Sequence, residues 1–180
     1  MKTILLLVFS LLFVAELSAQ QLYIPGKITK GDTAAYYCKL SNKLILEVRN
    51  VNNVDTTDVM YYKDGRPMPI EADLSGSVDT KPWELLNAFR ECLTLEEWNM
   101  LKGKVGHFLG INVVADSDGN TLEIVFQFRT ADPVMTKMDP DRLYRLEQNL
   151  KKIIKMTPSK EDRAFKSIKY LQFISYAKIK

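Results

Sequence analysis

The stretch Thr121 to Arg129, TLEIVFQFR, constrains the fold more than any other part of the chain. On an extended backbone, Leu122, Ile124, Phe126 and Phe128 point to one side. Thr121, Glu123, Gln127 and Arg129 point to the other, with Val125 the one exception. A period of two with one apolar side requires a sheet that buries one face and leaves the other mostly wet, which is the habit of antiparallel sheets. Asp116-Ser117-Asp118-Gly119-Asn120 just upstream is turn chemistry, and Phe108 to Ala115 before it reads as a strand. A β-hairpin therefore spans Phe108 to Arg129.

The remaining segments sort by period. Lys43 to Val51, KLILEVRNV, is a strand rich in Leu, Ile and Val. Val59 to Lys63 and Arg66 to Ile70 flank Asp64-Gly65, a hairpin turn signal, but Pro67 and Pro69 confine the second arm to an edge or to merely extended chain. Lys81 to Cys92 predicts a helix, capped by Asp79 or Thr80 with Pro82 in its first turn. Thr94-Leu95-Glu96-Glu97 is a capping box that opens a second helix to about Lys102. Asp139-Pro140 opens a third, reaching about Met156, with Leu143, Leu146, Leu150, Ile153 and Ile154 as its apolar stripe. Lys166 to Lys178 returns as a strand. Its Leu171 and Phe173 oppose Ile168, Tyr170, Ile174 and Tyr176, so it is expected to be central or covered on both sides. The fold class is α+β: a mainly antiparallel sheet with two or three helices packed on one face.

Met1 to Ala19 carries the three parts of a secretory signal peptide: Lys2, the apolar run Ile4 to Ala15, and the small-residue site Leu17-Ser18-Ala19. The run is shorter than the roughly 20 residues that span a bilayer, and no later segment is apolar enough to do so. Residues 20–42 are expected to form a loosely structured mature N-terminus, and 43–180 a single α+β domain. Localisation is expected to be periplasmic or extracellular.

The net charge of +3 on 180 residues, with acids and bases interleaved, gives no ground for a nucleic-acid or anionic-membrane partner. Export permits a disulfide between Cys38 and Cys92, the two cysteines; the alternative is two buried thiols behaving as small hydrophobes. The one histidine, His107, would have to serve as base in any Ser-His or Cys-His pair, and no Gly-x-Ser-x-Gly elbow accompanies it. One histidine and two distant cysteines make a poor zinc set. The oxygens of Asp116, Asp118 and Asn120 resemble the start of a calcium loop, but the glycine comes too early and a hairpin turn explains them equally. Glu96, Glu97 and Asp116 are the carboxylates that acid–base chemistry would draw on, with nothing to place two in one cleft. No phosphate-cradling or dinucleotide fingerprint occurs. The expectation is no catalytic residues, no cofactor and no metal. Tyr61, Tyr62, Trp83 and Trp98 are the candidate binding surface, since Tyr and Trp are amphipathic and stiff.

Gly110-Ile111-Asn112-Val113-Val114-Ala115-Asp116-Ser117-Asp118-Gly119, then Leu122 to Phe126, Met138-Asp139-Pro140-Asp141 opening a helix, Met156-Thr157-Pro158 and a final strand together resemble the C-terminal domain of TonB-type energy transducers. The resemblance covers about the last 70 residues and implies a strand–helix–strand topology. It does not imply force transmission, because neither a membrane anchor nor a Pro-rich spacer precedes it. The signal KTILLLVFSLLF, the Ala19-Gln20 start and the strand-rich N-terminal half also resemble small exported proteins of unknown function from gut Bacteroidetes. That likeness implies a periplasmic or outer-membrane-associated place and no activity.

The function expected from these readings is a non-catalytic exported binding or interaction module. Its partner would be another periplasmic or outer-membrane protein, or a glycan, added at the Pro67/Pro69 arm or along Val105 to Ala115. The alternatives are a small hydrolase or lyase acting through carboxylates or tyrosine, and an inhibitor-like protein.

Overall fold

The computed structural model describes residues 21–57, 59–69 and 73–180. The signal segment 1–19 lies outside the described residues. In chain order the elements are β1 (Ile28–Lys30), β2 (Ala35–Asn42), β3 (Ile45–Asn50), β4 (Ser77–Val78), α1 (Pro82–Glu91), α2 (Leu95–Leu101), β5 (Phe108–Ala115), β6 (Thr121–Arg129), α3 (Pro140–Ile153), β7 (Met156–Thr157) and β8 (Ile168–Ser175). Six strands form one sheet in the order β1-β2-β3-β6-β5-β8, every neighbouring pair antiparallel; β4 and β7 make a separate two-stranded ribbon. The fold is α+β, with three helices against one face of a mainly antiparallel sheet.

The alternation of residues explains which face the helices cover. Tyr36 and Cys38 on β2, Leu46 and Val48 on β3, Ile124, Phe126 and Phe128 on β6, and Leu109 and Ile111 on β5 are buried. They form one core with Leu85 and Phe89 of α1, Leu101 of α2, and Leu143, Leu146 and Leu150 of α3. The helix starts follow local chemistry. Thr94 and Glu97 close the expected capping box, with the Thr94 N–H donating to Glu97 Oε2 at 2.8 Å and the Glu97 N–H to Thr94 Oγ1 at 3.2 Å. Asp139 caps α3 by accepting from the Asp141 and Arg142 N–H groups. α1 departs from expectation: Lys81 is its cap residue, held by a bond from its N–H to Glu84 Oε2. Thr80 instead faces the end of α3, donating to the Ile153 carbonyl and accepting from the Lys155 N–H.

Four expectations are corrected. The segment expected to be loose, 20–42, supplies β1 and β2, and its Tyr23 and Tyr36 are fully buried. Its weak periodicity comes from the brevity of β1, which spans three residues. Asp141, at the head of α3, fastens this segment by accepting from the Asp32, Thr33 and Ala34 N–H groups. Leu122, expected to lie inward, is 51% exposed, because the register shifts at Val114/Ala115 where β6 begins. The strand from Phe108 is no edge: β5 lies between β6 and β8. The final strand is not central: β8 closes the sheet, with Leu171 and Phe173 in solvent. The Pro67 arm makes one bridge, to Tyr61, and is otherwise merely extended, as two prolines require.

Candidate functional site

Among the described residues no helix covers the second face of the sheet, and the register lays its side chains out in rows. One row runs Tyr37, Arg49, Val125, Asn112, Leu171 across β2, β3, β6, β5 and β8; the next runs Lys39, Glu47, Gln127, Gly110, Phe173. The same alternation that puts Leu46 and Val48 in the core sends Glu47 and Arg49 here. Charge gathers at the β2–β3 end, amides in the middle and apolar groups at β8. Lys39, Glu47, Arg49, Asn112, Gln127 and Lys169 line a shallow depression of about 490 Å³ in this face.

Segment 53–57 walls the depression on one side. Glu123, itself buried, accepts from the Val54 N–H at 2.8 Å and the Asp55 N–H at 3.2 Å. Asn53 Nδ2 donates to the Ile124 carbonyl at 2.9 Å. Lys169 Nζ pairs with Asp55 Oδ1 at 2.7 Å and also donates to Thr57 Oγ1 at 2.9 Å and to the Thr57 carbonyl. Burial alone would raise the Asp55 carboxyl; hydrogen bonds from Lys169 and from Ser167 outweigh it and hold the group below the ordinary carboxylate value. The wall is therefore tied to the sheet through Glu123, Asn53 and the Asp55–Lys169 pair.

On the floor, Glu47 is shared between Lys39 at 2.8 Å and Gln127 Nε2 at 3.3 Å. The Arg49 guanidinium lies 5.4 Å from the Tyr37 ring centroid and makes no ion pair among the described residues. The Asn112 amide has no hydrogen-bond partner among them either. The two carboxylates of the depression, Glu47 and Asp55, are each matched with a lysine, while Arg49 and Asn112 retain free donors. Such a floor can hydrogen-bond carbonyl, carboxylate or hydroxyl oxygens beside an apolar contact at Leu171.

The residues singled out from sequence do not converge. Tyr61 is partly exposed on the extended pair with Pro67, and Tyr62 stacks on Phe165 at 4.6 Å between centroids, in a small separate cluster. Trp83 is 61% exposed on α1 and lines a shallow groove with Asn87, Asn149 and Ile153. Trp98 packs on the main core beneath Arg90, 5.1 Å from its ring. These four occupy three elements and make no common surface.

Cys38 and Cys92 are free and buried, Cys38 inside the sheet–helix core and Cys92 at the end of α1. Burial pushes the Cys38 thiol up to about 11, far from a nucleophile's range. His107 directly precedes β5, with its Nδ1 buried and unpartnered among the described residues. Nearby Asp132 is buried and accepts from the Val134 and Met135 N–H groups; burial lifts its carboxyl above the usual value. The oxygens of Asp116 accept from the Asp118 and Asn120 N–H groups and from Asn120 Nδ2, which is the hairpin-turn reading. Glu97 is engaged by Arg142 at 2.5 and 2.9 Å, and that guanidinium holds its carboxyl below the ordinary value. Glu96, its neighbour on α2, sits in the first turn of that helix.

Sequence reading missed Lys39, Glu47, Arg49, Asn112, Gln127 and Lys169 as a group. The signal available was the polar half of each alternating strand; what places the halves side by side is strand order.

No family model matches the chain, and no curated protein matches it. Among solved structures, a DUF5043 family protein from Bacteroides uniformis superposes with a TM-score of 0.70. It is 18% identical, and the match covers 87% of this chain and 88% of that one. At that identity the likeness is one of fold. The neighbour is itself a Bacteroides protein from a DUF family.

Proposed function

We propose that the chain is an exported, non-catalytic binding module whose ligand seats on the uncovered face of the six-stranded sheet. The observation that carries this reading is the depression itself. It is a walled hollow whose acids are already paired, whose Arg49 and Asn112 keep unspent donors, and whose far end is apolar. An acid–base catalyst needs a carboxylate free to gain and lose a proton at the substrate; Glu47 and Asp55 are each bound to a lysine. The donor-rich floor suits an oxygen-rich partner, either a segment of another envelope protein or a glycan. An inhibitor-like role is one form of the same module, with a protein as ligand. The signal pattern of residues 1–19 supports a periplasmic or extracellular place.

The test is a panel of envelope glycans and extended peptides followed by amide chemical shifts of the labelled protein. A ligand of this face moves Lys39, Arg49, Asn112 and Gln127, and Arg49→Ala weakens it by at least about tenfold, the loss of one charged hydrogen bond. Shifts confined to the Trp83 groove, or chemical turnover of a panel member, would overturn the reading.

A further inference from the structure

We propose that the outer edge of β8 is a self-association seam, through which two copies of the chain pair about a two-fold axis. This goes beyond the ligand site above and does not depend on it.

The hydrogen-bond direction of β8 follows from its pairing. The Tyr176 N–H donates to the His107 carbonyl, toward β5. By the alternation of an antiparallel ladder, Ile174, Gln172 and Tyr170 also turn their backbone groups toward β5, and Leu171 and Phe173 turn theirs outward. Lys169 belongs to the outward set, and its N–H meets the Met60 sulfur at 3.2 Å. Segment 59–62 thus covers the start of the edge, and among the described residues nothing covers the stretch from Tyr170 to Ser175. Among the described residues the Leu171 carbonyl accepts only from the neighbouring Gln172 side chain, at 3.2 Å.

Proteins usually blunt such an edge with brevity, lysine or proline. The opposite edge obeys: β1 is three residues long, ends on Lys30 and follows Pro25 and Lys27. β8 is eight residues long, and its uncovered part holds no charge and no proline. It also presents Leu171 at 54% and Phe173 at 62% exposure.

The edge is complementary to itself. Because the outward groups are those of Leu171 and Phe173, pairing Leu171 with Phe173 of a second copy satisfies both residues twice over, with the axis at Gln172. Leu171 and Phe173 side chains then meet on the open face, and the two glutamines meet on the other. The charges agree with this register. A chain of net charge +3 repels its copy, yet here only uncharged residues face one another. Lys169, already matched by Asp55, falls opposite Ser175 rather than its own counterpart. At roughly 200 Å² for each full side chain, Leu171 and Phe173 contribute about 200–250 Å² per copy. With the edge backbone this stays under the roughly 1,200 Å² of stable complexes, so the dimer is concentration-dependent.

Sedimentation velocity on the mature chain tests the seam, read from about 5 μM to about 1 mM, the span where so small an interface dissociates. The expected result is a shift from monomer toward dimer, abolished by Phe173→Lys and retained by Leu122→Lys, another exposed apolar site away from the seam. Both variants must keep the parent circular dichroism, as changes at solvent-facing positions allow. Gln172→Cys tests the register. It places two thiols at a non-hydrogen-bonded pair, where Cα atoms stand about 4.5 Å apart, within disulfide reach, so mild oxidation yields a covalent dimer. A monomer at the highest concentration, a dimer indifferent to Phe173→Lys, or failure of the Gln172→Cys variant to cross-link would each overturn the proposal. So would a β8 edge whose amides become protected only when an unrelated extended peptide is added.

Discussion

Glu147→Ala should destabilise the fold by about 3–5 kcal/mol, through the groups it orphans more than through its own loss. Glu147 is fully buried on α3. Its Oε2 accepts from the Tyr36 hydroxyl at 2.6 Å and from Asn50 Nδ2 at 3.2 Å, and its Oε1 pairs with Lys151 at 2.7 Å. Tyr36 and Asn50 sit on β2 and β3, so this one carboxylate joins the first hairpin to the last helix. Removing it leaves a buried hydroxyl and a buried amide unpaired, at roughly 1–3 kcal/mol each. Lys151 retains some exposure and can turn to water, so it adds little. With a urea slope of about 2 kcal/mol per M, the midpoint should fall by about 1.5–2.5 M. Tyr36→Phe alone should cost about 1.5–3 kcal/mol, as a hydrogen bond to a charged group does. The double variant should fall short of additivity by about 1–2 kcal/mol, since the singles share one bond. If the two losses add to within about 0.5 kcal/mol, the hydroxyl and carboxylate are not partners, and the account of how the N-terminal strands are held is wrong.

Other outcomes follow from single features. Gly119 has φ +88°, and a Cβ there would lie 1.9 Å from the Met156 carbonyl oxygen, whereas Gly65 at φ +90° has open space around it. Gly119→Ala should therefore lower Tm by about 6–12 °C and Gly65→Ala by no more than about 4 °C, at roughly 2–4 °C per kcal/mol; equal losses would mean the clash is relieved by the turn. Native protein should react slowly with a thiol reagent and titrate both cysteines once unfolded without reductant, because Cys38 and Cys92 are free and buried; no thiols after unfolding would mean a bridge had formed. Burial raises the phenol pKa values of Tyr23, Tyr36 and Tyr176 in the folded state, with the Glu147 charge adding at Tyr36. A folded pKa above the unfolded value contributes stability below about pH 10 that is lost as pH rises beyond it. Ultraviolet titration should thus show these three tyrosines ionising only with cooperative unfolding; smooth early ionisation would contradict their burial.

The helices were legible in the chain because their signals are local: the Thr94–Glu97 box, the Asp139 cap and the Leu143–Leu146–Leu150 stripe each act within a few residues. The hairpin of β5 and β6 was legible for the same reason. Less legible was the N-terminal segment, where β1 is too short to show a period and Tyr23 is buried by contacts far along the chain. The aromatic residues fall apart in space because amphipathic rings serve cores and surfaces alike: Trp98 packs inward while Trp83 stays in solvent. A disulfide was readable from compartment and count, but only Cβ positions could test it.

Sequence by itself determined that this chain makes an antiparallel sheet with one apolar face, because side chains alternate sides of any strand whatever its neighbours. It determined where α2 and α3 begin, because their caps are bonds between residues two or three apart. Strand order was decided by tertiary structure alone. Nothing within Lys43 to Val51 announces that β3 pairs with β6, or within Lys166 to Lys178 that β8 ends the sheet. That order gathers Arg49, Asn112 and Lys169 into one hollow and leaves the edge of β8 open to solvent.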